Sequence, residues 1–188
     1  ARTAAPPSRQ PAIVIDGPAP PAETAESVLA QEQKANPQDR RTMQAFRMNG
    51  DESIVLDGRL DEPVWQRAEP AVDFLQQFPD EFSPATERSE VWFLYDDDML
   101  YVGGMLYDRE PERLVIDELV RDFDSFFSDS FMVLVDTFLD QRTGYGFWIS
   151  PGGARRDVQS FDNRRNDANW DGVWFSDATV LEDGWSFE

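Results

Sequence analysis

Short apolar runs separated by turn-forming residues fill residues 50–188 of the chain. Residues 91–95 and 100–106 flank the acidic triplet 96–98, and this pattern predicts a hairpin of two strands. Residues 113–120 are apolar enough to form a further strand or a single helical turn. Short strands with Gly, Pro and Asp between them are typical of an all-β sandwich, and we predict this fold for residues 50–188.

The same pattern predicts a second hairpin and a later strand in the C-terminal half of the chain. Residues 131–136 and 146–150 flank residues 141–144, which have the Gly-containing composition of a hairpin loop. Residues 151–153, Pro-Gly-Gly, turn the chain again, and we expect a strand over residues 173–181.

Residues 1–49 differ in composition and predict an extended, Pro/Ala-rich N-terminal arm. The prolines of its first half are Pro6, Pro7, Pro11, Pro18, Pro20 and Pro21. Residues 25–35 could form a short helix, with Thr24 as N-cap and Pro37 beyond its end. Such an arm is either a disordered tether or a segment ordered against this domain or a partner chain. We expect it to dock on a partner through its prolines.

A family resemblance is carried by residues 54–65, which read Ile-Val-Leu-Asp-Gly-Arg-Leu-Asp-Glu-Pro-Val-Trp. A β-branched strand is followed by an Asp-Gly turn, an acidic pair, a proline and one large aromatic residue. This opening resembles that of family-nine-like carbohydrate-binding modules, of the type found at the N-terminus of bacterial outer-membrane β-barrel proteins of unknown function. The resemblance continues through residues 84–91, 94–103, 131–136, 147–152, 170–174 and 183–185.

The resemblance implies a non-catalytic β-sandwich in an exported protein, often with structural calcium. In these modules, the sequence that corresponds to residues 184–188 opens a final strand, which is incomplete here. An incomplete sheet leaves a strand edge without a neighbour, and such an edge favours pairing with another chain. We therefore expect this edge of the sheet to be a docking surface.

Composition excludes several kinds of chemistry. The chain contains no cysteine and no histidine, so it cannot form a disulfide, a thiolate metal site or a serine–histidine triad. Its formal net charge of −20 argues against nucleic acid and anionic membranes as partners, and favours cations or a basic protein face. No pattern pairs an acid with a nucleophile as in glycoside hydrolases, so we expect no enzymatic activity.

The location is predicted from two features of the sequence. No apolar run reaches the roughly 20 residues that a membrane-spanning helix requires, so we expect no transmembrane segment. The first residue is Ala1, which suits the small-residue site left after removal of a signal peptide. Together with the family resemblance, this favours an exported chain in the periplasm or outside the cell.

Tryptophans are the candidate sugar-binding residues, because sugars stack their apolar faces on aromatic rings. Trp170 and Trp174 are four residues apart, and we predict that they form a carbohydrate platform. The alternative is that both lie in the core or in an interface. Trp65, Trp92 and Trp148 are predicted to be core residues.

Acidic residues in loops are candidate calcium ligands, because Ca²⁺ prefers several carboxylate and carbonyl oxygens on a flexible loop. Asp122 and Asp124 lie in a loop rich in Ser and Phe, and Asp136 and Asp140 flank the second hairpin. Their spacing matches no EF-hand, and solvated turns are the alternative interpretation.

Two arginines are candidate docking residues, since Arg and Trp are favoured at the hot spots of interfaces. Arg164 and Arg165 could form such a surface together with Trp170. The alternative is that the two arginines balance nearby acids such as Asp162 and Asp167.

The sequence leaves two functions open. We favour a non-catalytic structural or accessory subunit on the periplasmic face of a larger membrane-embedded complex, such as an electron-transfer complex of respiration or photosynthesis. It would dock on protein subunits through the arm and the open sheet edge. The alternative is a carbohydrate-binding module of an exported surface protein, which binds glycan by aromatic stacking with support from structural calcium.

Overall fold

The computed structural model describes residues 42–117, 119–162 and 165–188, and its regular structure is almost entirely β. Within these ranges the strands are β1 (Phe46–Arg47), β2 (Ser89–Tyr95), β3 (Leu100–Tyr107), β4 (Phe131–Val135), β5 (Gly144–Ile149), β6 (Arg155–Phe161), β7 (Arg165–Asp167), β8 (Ala178–Leu181) and β9 (Gly184–Phe187). The helical elements of the same ranges are two 3-10 turns, Trp65–Arg67 and Pro111–Arg113. The prediction that residues 50–188 are all-β is thus confirmed for the residues that the structure describes.

The strands form two sheets. The first has five strands in the order β1-β2-β3-β9-β8, and the second has four strands in the order β4-β5-β6-β7. Neighbouring strands run antiparallel, except that β1 runs parallel to β2. Strand β9 is the last along the chain, yet it lies between β3 and β8 inside the first sheet.

Both predicted hairpins are confirmed. In the turn between β2 and β3, the Asp96 carboxylate accepts hydrogen bonds from the backbone N–H groups of Asp98, at 2.8 Å, and Met99, at 2.7 Å. Strands β4 and β5 pair up to Val135 and Tyr145, which lie opposite each other beside the second loop. The aspartate at the start of the first loop supplies the acceptor that the tight turn needs for its backbone donors.

The predicted strand 173–181 is confirmed only over its second half. Strand β8 covers Ala178–Leu181, and the residues before it pair with no strand within the described ranges. Exposure nevertheless alternates along residues 171–177, as it does in a strand with one buried face. The prediction is right about the extended backbone, whereas a strand also requires a neighbouring segment to pair with.

Apolar side chains form two clusters, one on each face of the first sheet. The outer cluster contains Met48, Trp65 and Leu94. In the inner cluster, the ring of Phe187 on β9 stacks on Phe131 of β4, with 4.8 Å between the ring centroids. Because β4 belongs to the second sheet, the inner cluster lies between the two sheets, as apolar layers do where sheets pack face to face.

Some predicted features fall outside the described residues or differ from the structure. Residues 1–41, with the six prolines of the arm and the predicted helix 25–35, lie outside the described ranges. Strand β1 and the buried Met48 come from the C-terminal end of the predicted arm. Residues 114–117 are irregular after the 3-10 turn that ends at Arg113, so neither a strand nor a helix forms there.

No helix within the described parts of the chain is long and apolar enough to cross a lipid bilayer. Of the three tryptophans predicted to lie in the core, Trp65 is 2% exposed, and Trp92 is half-buried against the same cluster. Trp148 is half-buried on β5, and the guanidinium of Arg156 lies 5.8 Å from its ring centroid.

Candidate functional site

A cavity of about 390 Å³ opens between the two sheets. Val133 and Phe147 of the second sheet line one part of it, and Trp65 and Tyr101 line another part. Trp65 and Tyr101 belong to the outer cluster, on the far face of the first sheet. A continuous sheet would separate these two groups of side chains, so the cavity passes through the first sheet.

The strand registers show where the first sheet opens. Phe187 of β9 pairs with Gly104 of β3 on one side and with Ala178 of β8 on the other. Residues 100–102 of β3 and residues 173–176, which precede β8, extend past the end of β9. No strand of the described ranges lies between these two segments. Two segments that flank one strand are about 9.6 Å apart, which is room for a single inserted strand. We call this space the slot; its walls are residues 100–102 and 173–176.

Backbone hydrogen-bonding groups line both walls of the slot. In an antiparallel sheet, the N–H and C=O of every second residue face the same neighbour. Asp177 and Glu188 exchange two backbone hydrogen bonds, so Phe175 directs its backbone groups into the slot. The same alternation on β3 directs the backbone N–H and C=O groups of Leu100 and Val102 into the slot. These three residues have no hydrogen-bond partner on this side within the described part of the chain.

Two buried side-chain atoms at the slot are also without a partner. The indole Nε1 of Trp174 and the Oγ of Ser176 are both buried, and neither has a hydrogen-bond partner among the described residues. Both side chains line the cavity. A buried polar group without a partner costs about 1–3 kcal/mol, so both atoms favour a ligand that brings hydrogen-bonding groups into the cavity.

The wall formed by residues 173–176 is held in place by the second sheet. The Nη1 of Arg155 on β6 donates a hydrogen bond of 2.8 Å to the carbonyl of Trp174. Two residues earlier, the backbone N–H of Gly172 donates a hydrogen bond to the carboxylate of Asp157. Asp157 is fully buried and also forms an ion pair with Arg121. The Trp174 carbonyl therefore points away from the slot, as the alternation of the backbone requires.

Glu188 lies at the inner end of the slot and is 6% exposed. Its carboxylate accepts hydrogen bonds from the backbone N–H of Asp57, at 3.1 Å, and from the indole Nε1 of Trp65, at 3.2 Å. The same indole N–H also lies 3.1 Å from Glu62. Burial raises the pKa of Glu188 to about 7, and the charges of Glu62 and Asp57 act in the same direction. A carboxyl that titrates near neutral pH thus sits where the slot begins.

The structure separates the two tryptophans of the predicted carbohydrate platform. Trp174 lines the cavity, with 5.3 Å between its ring centroid and that of Phe147. Trp170 does not line the cavity; its ring centroid lies 4.8 Å from that of Tyr145 and 6.0 Å from that of Phe147. Both rings contact Phe147, but only Trp174 is placed to meet a ligand in the cavity.

Three of the four predicted calcium ligands, Asp124, Asp136 and Asp140, act as turn acceptors. Asp136 accepts a hydrogen bond from the backbone N–H of Gln141, and Asp140 accepts from those of Arg142 and Thr143. The backbone hydrogen bonds from Thr143 and Arg142 lower the pKa of Asp140. In the other loop, Asp124 accepts from the backbone N–H of Phe126, and the Asp122 N–H donates to Arg155. In the described residues, no group of three or more His, Cys, Asp or Glu could hold a metal ion.

The predicted arginine pair is described only in part. Arg165 is exposed on β7 and pairs with Asp162 at 3.2 Å, which is the role of balancing a nearby acid. Arg164 lies outside the described residues, as do the six prolines of the arm.

Comparison of the chain with protein-family models, with curated proteins and with solved structures gives no match. The resemblance to family-nine-like carbohydrate-binding modules therefore remains a prediction from the sequence motifs.

The residues that form the slot walls were not predicted from the sequence. Residues 173–175, Val-Trp-Phe, favour an extended segment, but an apolar run gives no register. Only the pairing of β9 with both neighbours brings Val102 and Ser176 to opposite sides of one opening.

Proposed function

We propose that this chain is a non-catalytic accessory subunit that docks on a partner polypeptide through the open part of its five-stranded sheet. The slot is the observation that carries the proposal. Backbone donors and acceptors on two facing walls are best satisfied by the backbone of another strand, which is how exposed sheet edges bind peptides.

The finer identity of the module rests on the sequence. We propose a β-sandwich of the family-nine-like carbohydrate-module type, in which two sheets share an inner apolar layer. The resemblance favours a position in the periplasm or outside the cell, on the periplasmic face of a membrane-embedded complex. An electron-transfer complex of respiration or photosynthesis is one such host, and the N-terminal arm would add contacts to its subunits.

The proposal is tested by co-elution of the chain with other subunits after mild detergent extraction of the source membranes. Leu100 lies on a slot wall and is 52% exposed, so the fold should tolerate the substitution Leu100→Asp. A strand docked in the slot would bury the new charge, and its binding should therefore be weakened. We expect this variant to bind its partner at least about tenfold more weakly.

Val180→Asp is the matched control, because Val180 is 46% exposed on β8 and does not line the cavity. It should co-elute with the partner as the unaltered chain does. Equal co-elution of both variants, or elution of the unaltered chain as a free 21.5 kDa monomer, would contradict docking through the slot.

Glycan binding is a second candidate, favoured by one observation. Trp174 lines the cavity with an indole N–H that has no partner among the described residues, and sugars offer both an apolar face and hydroxyl acceptors. For this function we expect Trp174→Ala to lower affinity on a glycan array at least about tenfold, with Trp170→Ala as the comparison. Binding that is absent, or unchanged in Trp174→Ala, would exclude the cavity as a sugar site.

A further inference from the structure

We propose that Asn49 is a site of spontaneous chemical modification, at which its side-chain amide is lost and a carboxylate takes its place. The reactants are the backbone nitrogen of Gly50 and water, so the reaction requires no enzyme and no cofactor. The product loosens the attachment of β1 to the first sheet. The site is separate from the slot, because neither Asn49 nor Gly50 lines the cavity.

The sequence around Asn49 favours this reaction. Of all the asparagines in the chain, Asn49 is the one that glycine follows, whereas the others precede Pro, Arg, Asp or Trp. Glycine has no Cβ atom, so its backbone nitrogen can approach the preceding side chain with little steric hindrance. Glycine also reaches backbone conformations that other residues avoid, which helps to bring this nitrogen towards the side-chain carbon of Asn49.

The structure leaves the reacting nitrogen accessible. Asn49 and Gly50 are both exposed, and they follow β1 at the start of a turn in which the Glu52 N–H donates to the Asn49 carbonyl at 3.1 Å. The Gly50 N–H donates to no acceptor in the described part of the chain. A Cβ atom on residue 50 would meet nothing within 4 Å, so the space around the nitrogen is open.

The reaction balances without an oxidant or a reductant. The backbone nitrogen of Gly50 gives its proton to water or hydroxide and attacks the Cγ of Asn49. The N–Cγ bond forms, the Cγ–Nδ2 bond breaks, and the departing nitrogen takes a proton from solvent and leaves as ammonia. Water then opens the cyclic imide at either carbonyl, which yields aspartate or isoaspartate and one additional negative charge.

The new charge lies beside an existing carboxylate. The backbone N–H of Asn49 donates a hydrogen bond of 2.7 Å to Oε2 of Glu52. This hydrogen bond, and to a smaller degree one from the side-chain amide of Asn49, lower the pKa of Glu52. Modification replaces that amide with an anion, and two like charges in contact disfavour each other. The turn is therefore weakened by repulsion between residue 49 and Glu52.

The turn is connected to β1 through Glu52. Its carboxylate forms an ion pair with Arg67, whose guanidinium lies 5.0 Å from the ring centroid of Phe46 on β1. Directly after β1, Met48 is 5% exposed, and its backbone N–H donates a hydrogen bond of 2.9 Å to the carbonyl of Tyr95 on β2. Because β1 has only two residues, contacts at its end contribute much of its attachment.

The first test measures the modification itself. The whole 188-residue chain is incubated at mildly alkaline pH, and trypsin then releases residues 48–59, which contain Asn49, and residues 166–188, which contain Asn166 and Asn169. We expect the first peptide to gain about 1 Da and to separate into aspartate and isoaspartate forms in liquid chromatography with mass spectrometry. The second peptide should keep the mass that it has before incubation.

Two controls make this test decisive. In Gly50→Ala the added methyl group hinders the attack, so the reaction should be at least about tenfold slower. A synthetic peptide of residues 48–59 gives the rate in the absence of the fold. Equal rates in Gly50→Ala and in the unaltered chain would overturn the mechanism. A folded chain that reacts more than about tenfold more slowly than the peptide would show that the turn protects Asn49, and the proposal would fall.

The second test measures the effect on β1, with Asn49→Asp standing for the product. Hydrogen exchange of the Met48 N–H should be at least about tenfold faster in this variant than in the unaltered chain, because this amide is released when β1 opens. In a Glu52→Gln background, where residue 52 carries no charge, Asn49→Asp should accelerate the exchange much less. Unchanged exchange in Asn49→Asp, or equal acceleration in both backgrounds, would overturn the assigned effect on β1.

Discussion

At the scale of single residues, the carboxyl of Glu188 is the group most altered by its surroundings. It is 6% exposed, and Trp65 divides one indole N–H between it and Glu62. Burial raises its pKa from 4.5 to about 7. The folded chain therefore binds this proton more tightly than the unfolded chain does, and protonation stabilises the fold.

The direction of the pH dependence follows from that raised pKa. The stabilising contribution is complete below pH 4.5 and is lost as the pH rises through about 7. Its size is on the order of 3 kcal/mol. We expect Glu188→Gln, which cannot ionise, to flatten this part of the stability profile, measured as the free energy of unfolding in urea between these two pH values.

Glu182→Gln is the control for this change, since Glu182 is exposed on the neighbouring turn. It should keep the pH dependence of the unaltered chain. A Glu188→Gln profile that parallels the unaltered one would show that another group causes the pH dependence.

Sequence alone predicts single residues unevenly. The burial of Trp65 was predicted, and this residue is 2% exposed. The strand predicted for residues 54–56 is wrong, because these residues are irregular and pair with no strand in the described ranges. The different positions of Trp170 and Trp174 were not predicted. The two tryptophans are four residues apart in an extended segment. Between them, the backbone N–H of Gly172 donates to the buried carboxylate of Asp157 on β6, and this hydrogen bond holds the segment against the second sheet.

At the scale of elements, β3 and β9 make the contact on which the slot depends. Gly104 on β3 lies directly under the ring of Phe187, and a Cβ atom on residue 104 would overlap that ring. The ring cannot move away easily, because it stacks on Phe131 of the second sheet. The close approach of the two strands therefore requires glycine at this position.

We expect Gly104→Ala to destabilise the fold by about 1–3 kcal/mol, the usual cost of an overfilled core. The free energy of unfolding in urea measures this loss. Gly50→Ala is the matched control, since a Cβ atom there meets nothing within 4 Å and should change the stability little. Equal stability of the two variants would mean that β9 packs differently against β3.

Elements were predicted where local chemistry determines them. The β2–β3 hairpin is marked by its acidic turn, and Asp96 does accept the two backbone N–H groups that the turn exposes. Strand pairing between distant segments left no local signal. A strand was predicted over residues 173–181, but which of these residues find a neighbour depends on the register of β9, which the sequence does not state.

At the scale of the whole molecule, the net charge of −20 raises the rate of association with any basic partner. Screening shortens the range of such attraction from about 10 Å at 0.1 M salt to about 3 Å at 1 M. We expect the association rate of a fluorescent oligolysine peptide with this chain to fall steeply over this range in stopped-flow fluorescence. For an oligoglutamine peptide of the same length the rate should barely change, and a salt-independent rate for both peptides would contradict electrostatic steering.

The two walls of the slot also bear on how such a partnership could evolve. A ligand held mainly by its backbone is recognised through groups that every residue except proline possesses. Mutations in a docked segment would thus be tolerated at most positions. The partner needs no fold of its own at the point of contact, so an unrelated protein with a short extended tail could replace it. A lineage could exchange partners in this way while the walls around Leu100 and Phe175 stayed the same.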